Sequence, residues 1–415
     1  MRVKNKMNRS ITTIGLAACI VVLGACTTAR EVQYTQVGLQ RAEAEIAPEA
    51  LLNVGILVFD AGLPEGASDQ ELNEQFIFPE IRRAEARYMP YHLKSTLETT
   101  GYWGAVSVLP EYSPVADVVI SGRIEESDGY SAQLRVGAWD SSGRRWFEKN
   151  YEMLVSEQAY IRDTGPGQDP YQNIYNQIAN DLLQARAQFS PGDMQRIREI
   201  SDLRYGKSLV PQAFSGYLEE TGKGQYEVRR LPAADEPMVS RMREVREREY
   251  ALIDAVNEHY ANLYYGLDRP YTDWRRMARE GRLSYEEMRR AANTRMLLGI
   301  LGILGAVAYE ASGGDNMGVT GTMIQGGFMG IQGGLGRREE ARMHLESLRE
   351  VGESFDAEAE PMVVELEGQT RRLTGTAEER FREWRRLLRE IYVRETGDLA
   401  TPGVQEPEGT SLSRP

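Results

Sequence analysis

The sequence predicts an α+β protein: a small mixed sheet packed with two helices, followed by a mostly α-helical region containing a Gly-rich helical hairpin. Three observations predict it. Apolar runs and helical patterns follow one another over residues 50–187 in the order strand, helix, four strands, helix. Beyond residue 187 the chain becomes charged, with apolar residues at helical spacing. Residues 296–336 are rich in glycine at spacings of three and four and almost without charge.

Taken in order, the first segment is a leader. Arg2, Lys4, Lys6 and Arg9 form a positive patch without an acidic residue, and Ile11 to Val22 is mostly apolar. That run suits a signal peptide and is too short to span a bilayer. Leu23-Gly24-Ala25-Cys26 follows, similar to the lipobox cut by lipoprotein signal peptidase, so residues 1–25 are expected to leave and Cys26 to carry the lipid. Small residues at 24 and 25 let an extended backbone enter a narrow protease site, and the thiolate of Cys26 is the nucleophile for diacylglycerol. The other cysteine, Cys19, departs with the leader, so no disulfide is available and core burial must hold the fold.

With the leader gone, 390 of the 415 residues remain, enough for two domains. Losing four positive charges and no negative ones moves the net charge from -13 to -17. That balance excludes nucleic acid and a polybasic contact with anionic headgroups, leaving the acyl group as the membrane link. Thr27 and Thr28, with no Asp just after the cysteine, imply by resemblance to sorted Gram-negative lipoproteins an outer-membrane location facing the periplasm.

Residues 26–49 are polar and predict a tether. Asn53 to Asp60 is a compact apolar run, a buried strand, and Gly62 to Gln75 a loop. From Glu80 to Thr99, Ile81, Ala84, Tyr88, Tyr91 and Leu97 keep helical spacing; Pro90 predicts a kink and Gly101 the stop. Trp103 to Leu109 and Asp117 to Glu125 are strands, and Ala132, Leu134, Val136 and Ala138 alternate with polar neighbours as in a sheet with one wet face. Asp140-Ser-Ser-Gly143 is a hairpin turn, and Trp146, Glu148 and Tyr151 lie on the returning strand. Trp103, Trp139 and Trp146 are assigned to the core rather than to a contact surface. Tyr171 to Arg186 is an amphipathic helix with Ile174, Ile178, Leu182 and Leu183 on one side.

This segment resembles the N-terminal domain of the Tol-Pal protein TolB, and its layout is similar to lipoprotein activators of penicillin-binding proteins and to curli secretion lipoproteins. The residues that carry the resemblance are Val54 to Phe59, "GYWGAVSVL" after the helix, the "ADVVISGRI" strand and the "AWDSSGRRWFEKNY" hairpin. The resemblance covers a third of the chain and implies a module that binds other envelope proteins, assembles with them or nucleates pores, without catalysis.

Residues 188–295 and 337–396 are expected to be helical, and 397–415, rich in Pro, Gly, Thr and Ser, disordered. Pro237 to Leu263 is a long helix carrying Met238, Met242, Val245, Leu252, Ile253, Val256, Tyr260 and Leu263, ended by Gly266. Ser284-Tyr-Glu-Glu287 is a capping box for another helix. Thr376-Ala-Glu-Glu379 opens a third, with Phe381, Trp384, Leu387, Leu388 and Ile391 inward.

In the glycine-rich segment, Met296 to Tyr309 is uncharged with Gly299, Gly302 and Gly305, and Gly326, Gly330 and Gly334 share one helical face after a turn at 312–316. Each glycine costs a helix up to ~1 kcal/mol against alanine, so packing must offset them. Two uses stay open. One is oligomerisation or membrane insertion through the glycine seam, as in small glycine-zipper lipoproteins of the envelope; the other is a tight helix pair buried in the soluble fold. The first arm is 14 residues long, roughly 21 Å of helix against the ~30 Å of a bilayer core. An exposed apolar hairpin predicts self-association.

No catalytic or metal motif stands out. His92, His259 and His344 lie in separate helical segments, His92 and His259 reading as satisfied helix-surface residues, and pairs such as Glu125-Glu126 and Glu378-Glu379 as solvated faces or caps. No cofactor is expected. The sequence therefore reads as a non-catalytic, lipid-anchored protein that binds or assembles envelope components and forms homo-oligomers. A self-oligomerising channel or secretion factor is the alternative, and a cell-wall-acting enzyme the third.

Overall fold

A computed structural model describes residues 36–68, 71–72, 75–161, 169–221, 224–233, 236–310, 362–366, 369–373 and 375–396, with backbone alone at 161, 284–310, 362–366, 369–372 and 395–396. Cys26, Gly326, Gly330, Gly334, His344 and the expected disordered tail lie outside the described residues.

The fold is α+β. Its sheet has the order β2-β1-β3-β4-β5. β1 (Val54–Leu57) runs parallel to β2 (Val106–Leu109) and β3 (Val118–Ser127), and the long strands β3, β4 (Ser131–Asp140) and β5 (Arg145–Leu154) form an antiparallel meander. Ile120, Ile124, Leu134, Val136 and Ala138 fill the buried face, and Arg123, Glu125 and Arg135 pair on the other. Gly143 turns the β4–β5 hairpin at φ +82°, a conformation that residues with a Cβ rarely adopt.

α1 (Pro79–Glu98) packs on β1, β2 and β3, and α3 (Gln172–Arg186) packs on β5 and against α1; the short α2 (Gln158–Ile161) precedes it. Pro90 lies buried within α1, and the helix continues through it. A proline has no N–H to give the carbonyl four residues back. Here the freed carbonyl of Ala86 accepts instead from Phe59 N–H, just past β1, at 2.9 Å. The expected kink site is thus a helix-to-strand tie.

α4 (Pro191–Leu209) opens with a capping box between Ser190 and Asp193, and after α5 (Pro211–Phe214) a small hairpin of β6 (Leu218–Thr221) and β7 (Gln225–Val228) packs on it. Next comes α6 (Pro237–Glu310), a single helix of 74 residues. Two expected boundaries are therefore corrected. Gly266 does not end a helix, and Ser284 does not start one. Gly266 lies between buried Tyr264 and Leu267, whose packing outweighs its propensity. It is also the residue four before Pro270, so the helix's second irregularity falls on an exposed, side-chain-free turn. A second hairpin, β8 (Met362–Leu366) and β9 (Gln369–Leu373), leads to α7 (Ala377–Thr396).

The cap of α7 forms as its sequence implies: Thr376 N–H donates to Glu379 Oε2 (2.9 Å) and Glu379 N–H to Thr376 Oγ1 (3.2 Å). Phe381, Trp384, Leu388 and Ile391 are buried and Leu387 is half-buried. α6 packs on α1, β2, α4 and α7, so the core runs without a break from the sheet into the helices.

Trp103 is buried. Trp146 is half-buried, stacked on Phe189 with its indole N–H on Asp140 (2.9 Å). Trp139 corrects the core assignment: it lies half-buried over Gly137 on the sheet's wet face, where the strand period places it. The expected tether is also corrected over residues 37–42, which are hydrogen-bonded to α3 and to the end of α1.

Candidate functional site

Among the described residues, buried charged and phenolic side chains gather at the seam where α6 meets the sheet domain. α1 presents Arg82, Glu85, Tyr88 and His92 along one face, and α6 presents Tyr264, Tyr271, Arg275 and Arg282. Asp169, Tyr171, Gln172 and Tyr175 approach from the start of α3, and Ser127 to Gly129 from the β3–β4 turn.

At the centre, Arg275 makes two hydrogen bonds to Asp169, Nη1 to Oδ1 and Nη2 to Oδ2, both 2.8 Å. The guanidinium is stacked on Tyr271 (3.9 Å from the ring centre) and lies 4.9 Å from that of Tyr171. Asp169 also accepts from Tyr171 N–H (2.8 Å) and Tyr88 OH (3.2 Å). Burial would raise the Asp169 carboxyl, but the Arg275 charge, with His92 and these hydrogen bonds, holds it below its ordinary value.

Glu85 sits beside this pair. Its Oε1 accepts from Ser127 Oγ (2.5 Å) and Tyr271 OH (2.6 Å), and Arg82 lies 3.9 Å from Oε2. Burial pushes its carboxyl up, against the pull of Arg82. Ile81, Ala84, Tyr88, Leu267 and Tyr271 line a crevice beside it that is too narrow to admit a water molecule.

His92 is 2 % exposed, which corrects its helix-surface assignment. Its Nδ1 meets Tyr264 OH and its Nε2 meets Gln172 Oε1, each at 2.7 Å. Gln172 Oε1 can only accept, so Nε2 carries the proton and Nδ1 accepts from the tyrosine, which satisfies the neutral ring. Burial lowers its proton affinity. Burial also raises the phenols of Tyr88, Tyr171, Tyr175 and Tyr271 far above their ordinary value.

The seam continues along α6 in both directions. Arg279 donates to Val155 O (3.2 Å), and Arg282 pairs with Asp128 (3.3 Å). Towards the N-terminus of α6, Asn257 bonds both backbone groups of Val108 on the edge strand β2 (2.8 and 3.0 Å). Glu249 accepts from Ser113 Oγ (2.6 Å) and lies 3.5 Å from Arg385 of α7. Arg246 reaches Asp202, Ser201 and the Val115 carbonyl. Its neighbour Asp117 is raised by burial, with Arg246 opposing. Each carboxylate is matched by a cation or hydroxyl from another element, so the arrangement fastens α6 to the body over residues 246–282.

The chain matches no protein-family model and no curated protein sequence.

Of the sequence-selected glycines, Gly299, Gly302 and Gly305 fall in the distal part of α6, where backbone alone is described, apart from the seam. No sequence motif marks the seam itself. One signal was available in the composition: 21 tyrosines against nine phenylalanines. A buried tyrosine needs a partner for its hydroxyl, so that excess announces buried polar contacts. Among the described residues no group of three His, Cys, Asp or Glu is placed to hold a metal ion, and no helix is long and apolar enough to cross a membrane.

Proposed function

We propose that this chain is a non-catalytic lipoprotein of the bacterial outer membrane that faces the periplasm, binds or assembles envelope components and self-associates. The observation that carries this reading is the lipobox Leu23-Gly24-Ala25-Cys26 after a positive, apolar leader. Stable anchoring needs more than one acyl chain, which a mature lipoprotein terminus supplies. The resemblance of residues 54–151 to TolB-like and curli-secretion-like modules supports a partner-binding role. The charged groups of the seam fit the non-catalytic part of the reading, because they are engaged with one another between elements of the fold.

A second reading, a self-oligomerising channel or secretion factor, is favoured by one observation. α6 is a continuous helix of 74 residues, roughly 110 Å long at 1.5 Å per residue, that runs past Arg282 into Gly299, Gly302 and Gly305.

Labelled palmitate should enter the protein and be lost with Cys26→Ser; incorporation into the variant, or none into the parent, refutes the anchor. Sizing the detergent-extracted protein separates the two readings. A defined ring of many copies supports the channel. Loss of self-association on deleting 296–336, with partner crosslinks retained, supports the scaffold.

A further inference from the structure

The outer face of α3 binds an extended piece of the chain by its backbone. Val37 N–H donates to Asn173 Oδ1 (2.9 Å), and Val37 O accepts from Asn176 Nδ2 (2.7 Å). Gln40 N–H donates to Asn180 Oδ1 (3.0 Å), and Gly38 O accepts from Asn180 Nδ2 (2.8 Å). The three asparagines fall at i, i+3 and i+7, on one helical face. A carboxamide carries the same donor and acceptor as a peptide unit, so this face offers a surrogate strand edge. Val37 and Leu39 are half-buried while 36, 38 and 40 are exposed, the alternation of a bound strand, and Leu39 packs on the core. Farther along, Ala42 N–H donates to Thr100 O (2.8 Å) and Tyr102 OH to Arg41 O (3.4 Å). Main-chain hydrogen bonds combined with pockets for alternate side chains are how protein surfaces hold extended peptides.

We infer that this face of α3 is a peptide clamp whose occupant is the chain's own residues 37–42, and that it sets the length of the leash between Cys26 and the body. The clamp stands on geometry alone; the leash rests on the lipid-anchor reading. Eleven steps separate positions 26 and 37, a reach of at most roughly 40 Å at ~3.5 Å per residue. The next hold is at Pro48 and Glu49, whose carbonyls accept from Arg198. With the clamp open, 22 steps from position 26 to 48 reach roughly 75 Å. The clamp therefore keeps α3 close to the bilayer, and a partner that takes its place on the asparagines doubles the distance the body can travel.

Arg41 provides the readout, since trypsin cuts after it only when the segment leaves its site. In the full chain with Cys26→Ser, cleavage after Arg41 should be slow and independent of protein concentration. Asn176→Ala with Asn180→Ala removes three of the four bonds and should speed it by about tenfold or more. Asn180→Ala alone, at a half-exposed side chain, should speed it less with an unchanged melting temperature. Equal rates in parent and variants overturn the clamp; protection that grows with protein concentration overturns the occupant in favour of a second copy. For the leash, the lipidated protein is bound to phosphatidylethanolamine–phosphatidylglycerol vesicles with a dye at Glu152→Cys. Energy transfer to a headgroup acceptor should fall in the double variant. Unchanged transfer with Arg41 released overturns the leash. Failure of the parent to bind vesicles overturns the anchor reading and the leash with it, leaving the trypsin rates to decide the clamp.

Discussion

Arg275 and Asp169 face each other through two parallel hydrogen bonds of 2.8 Å with neither side chain reached by solvent. Such a pair is costly to bury and more costly to break, because one partner left alone keeps an uncompensated charge in a medium of low dielectric. Arg275→Met is expected to lower stability by about 3–5 kcal/mol in urea unfolding. Adding Asp169→Leu should recover most of that loss. Recovery will be incomplete because Tyr88 OH and Tyr171 N–H then lose their acceptor. A double variant no better than the single one would contradict this account.

His92 predicts how the seam responds to acid. Its folded-state proton affinity is lowered, chiefly by burial. In the unfolded chain it titrates near ~6.5. The unfolded state therefore binds the extra proton first, and folding stability falls as pH drops below about 6.5. Glu85 acts in the opposite sense: burial raises it, so the folded state gains the proton first and stability recovers at lower pH. Asp169, held low, gives up its contribution only in stronger acid. Comparison with His92→Phe isolates the histidine. The variant should be less stable at pH 8, having lost its bonds to Tyr264 and Gln172, with a flatter profile between pH 7 and 5. Parallel profiles would show that His92 does not titrate on unfolding.

The sheet was legible where burial has a local period. Ala132, Leu134, Val136 and Ala138 face the core because alternate residues of a strand must share a face, and the Thr376–Glu379 cap needs only three residues of separation. The seam was not legible for the converse reason. Asp169 and Arg275 are 106 positions apart, and neither is marked by its neighbours. Gly266 is no stop because propensity describes an isolated helix, whereas Tyr264, Leu267, Tyr271 and Trp274 are held by packing on both sides of it. The clamp lay hidden in a segment whose polar composition resembles a tether, since its binding is written in asparagines 136 to 142 residues away.

Asn257 covers part of the open edge of β2. Its Oδ1 accepts from Val108 N–H and its Nδ2 donates to Val108 O, so one side chain stands in for the next strand. Asn257→Leu should cost about 2 kcal/mol, since it leaves a buried donor and acceptor unmet. Asn257→Asp keeps an acceptor for the N–H and sets a charge against the carbonyl, so it should cost at least as much at neutral pH. Hydrogen exchange at Val108, slow in the parent, should become fast in both. Continued protection in Asn257→Leu would mean that the edge finds another cover.

Gly129 marks a close approach of the sheet domain to α6. In the β3–β4 turn it has φ +77°, and a Cβ built there would stand 2.0 Å from the Arg275 carbonyl oxygen. The left-handed backbone alone costs a residue with a Cβ about 1–2 kcal/mol. The contact adds more, because the obstacle is helix backbone and cannot rotate away. Gly129→Ala should therefore push α6 outward, lengthen the Arg275–Asp169 and Arg282–Asp128 contacts, and unlock the seam from its centre. Loss of stability well beyond 2 kcal/mol in urea unfolding is expected, together with faster hydrogen exchange in α6 around residue 275 and little change near residue 249, where separate ion pairs hold the helix. If Gly129→Ala cost no more than the backbone term and exchange around 275 stayed slow, the turn and the helix would not meet as closely as described.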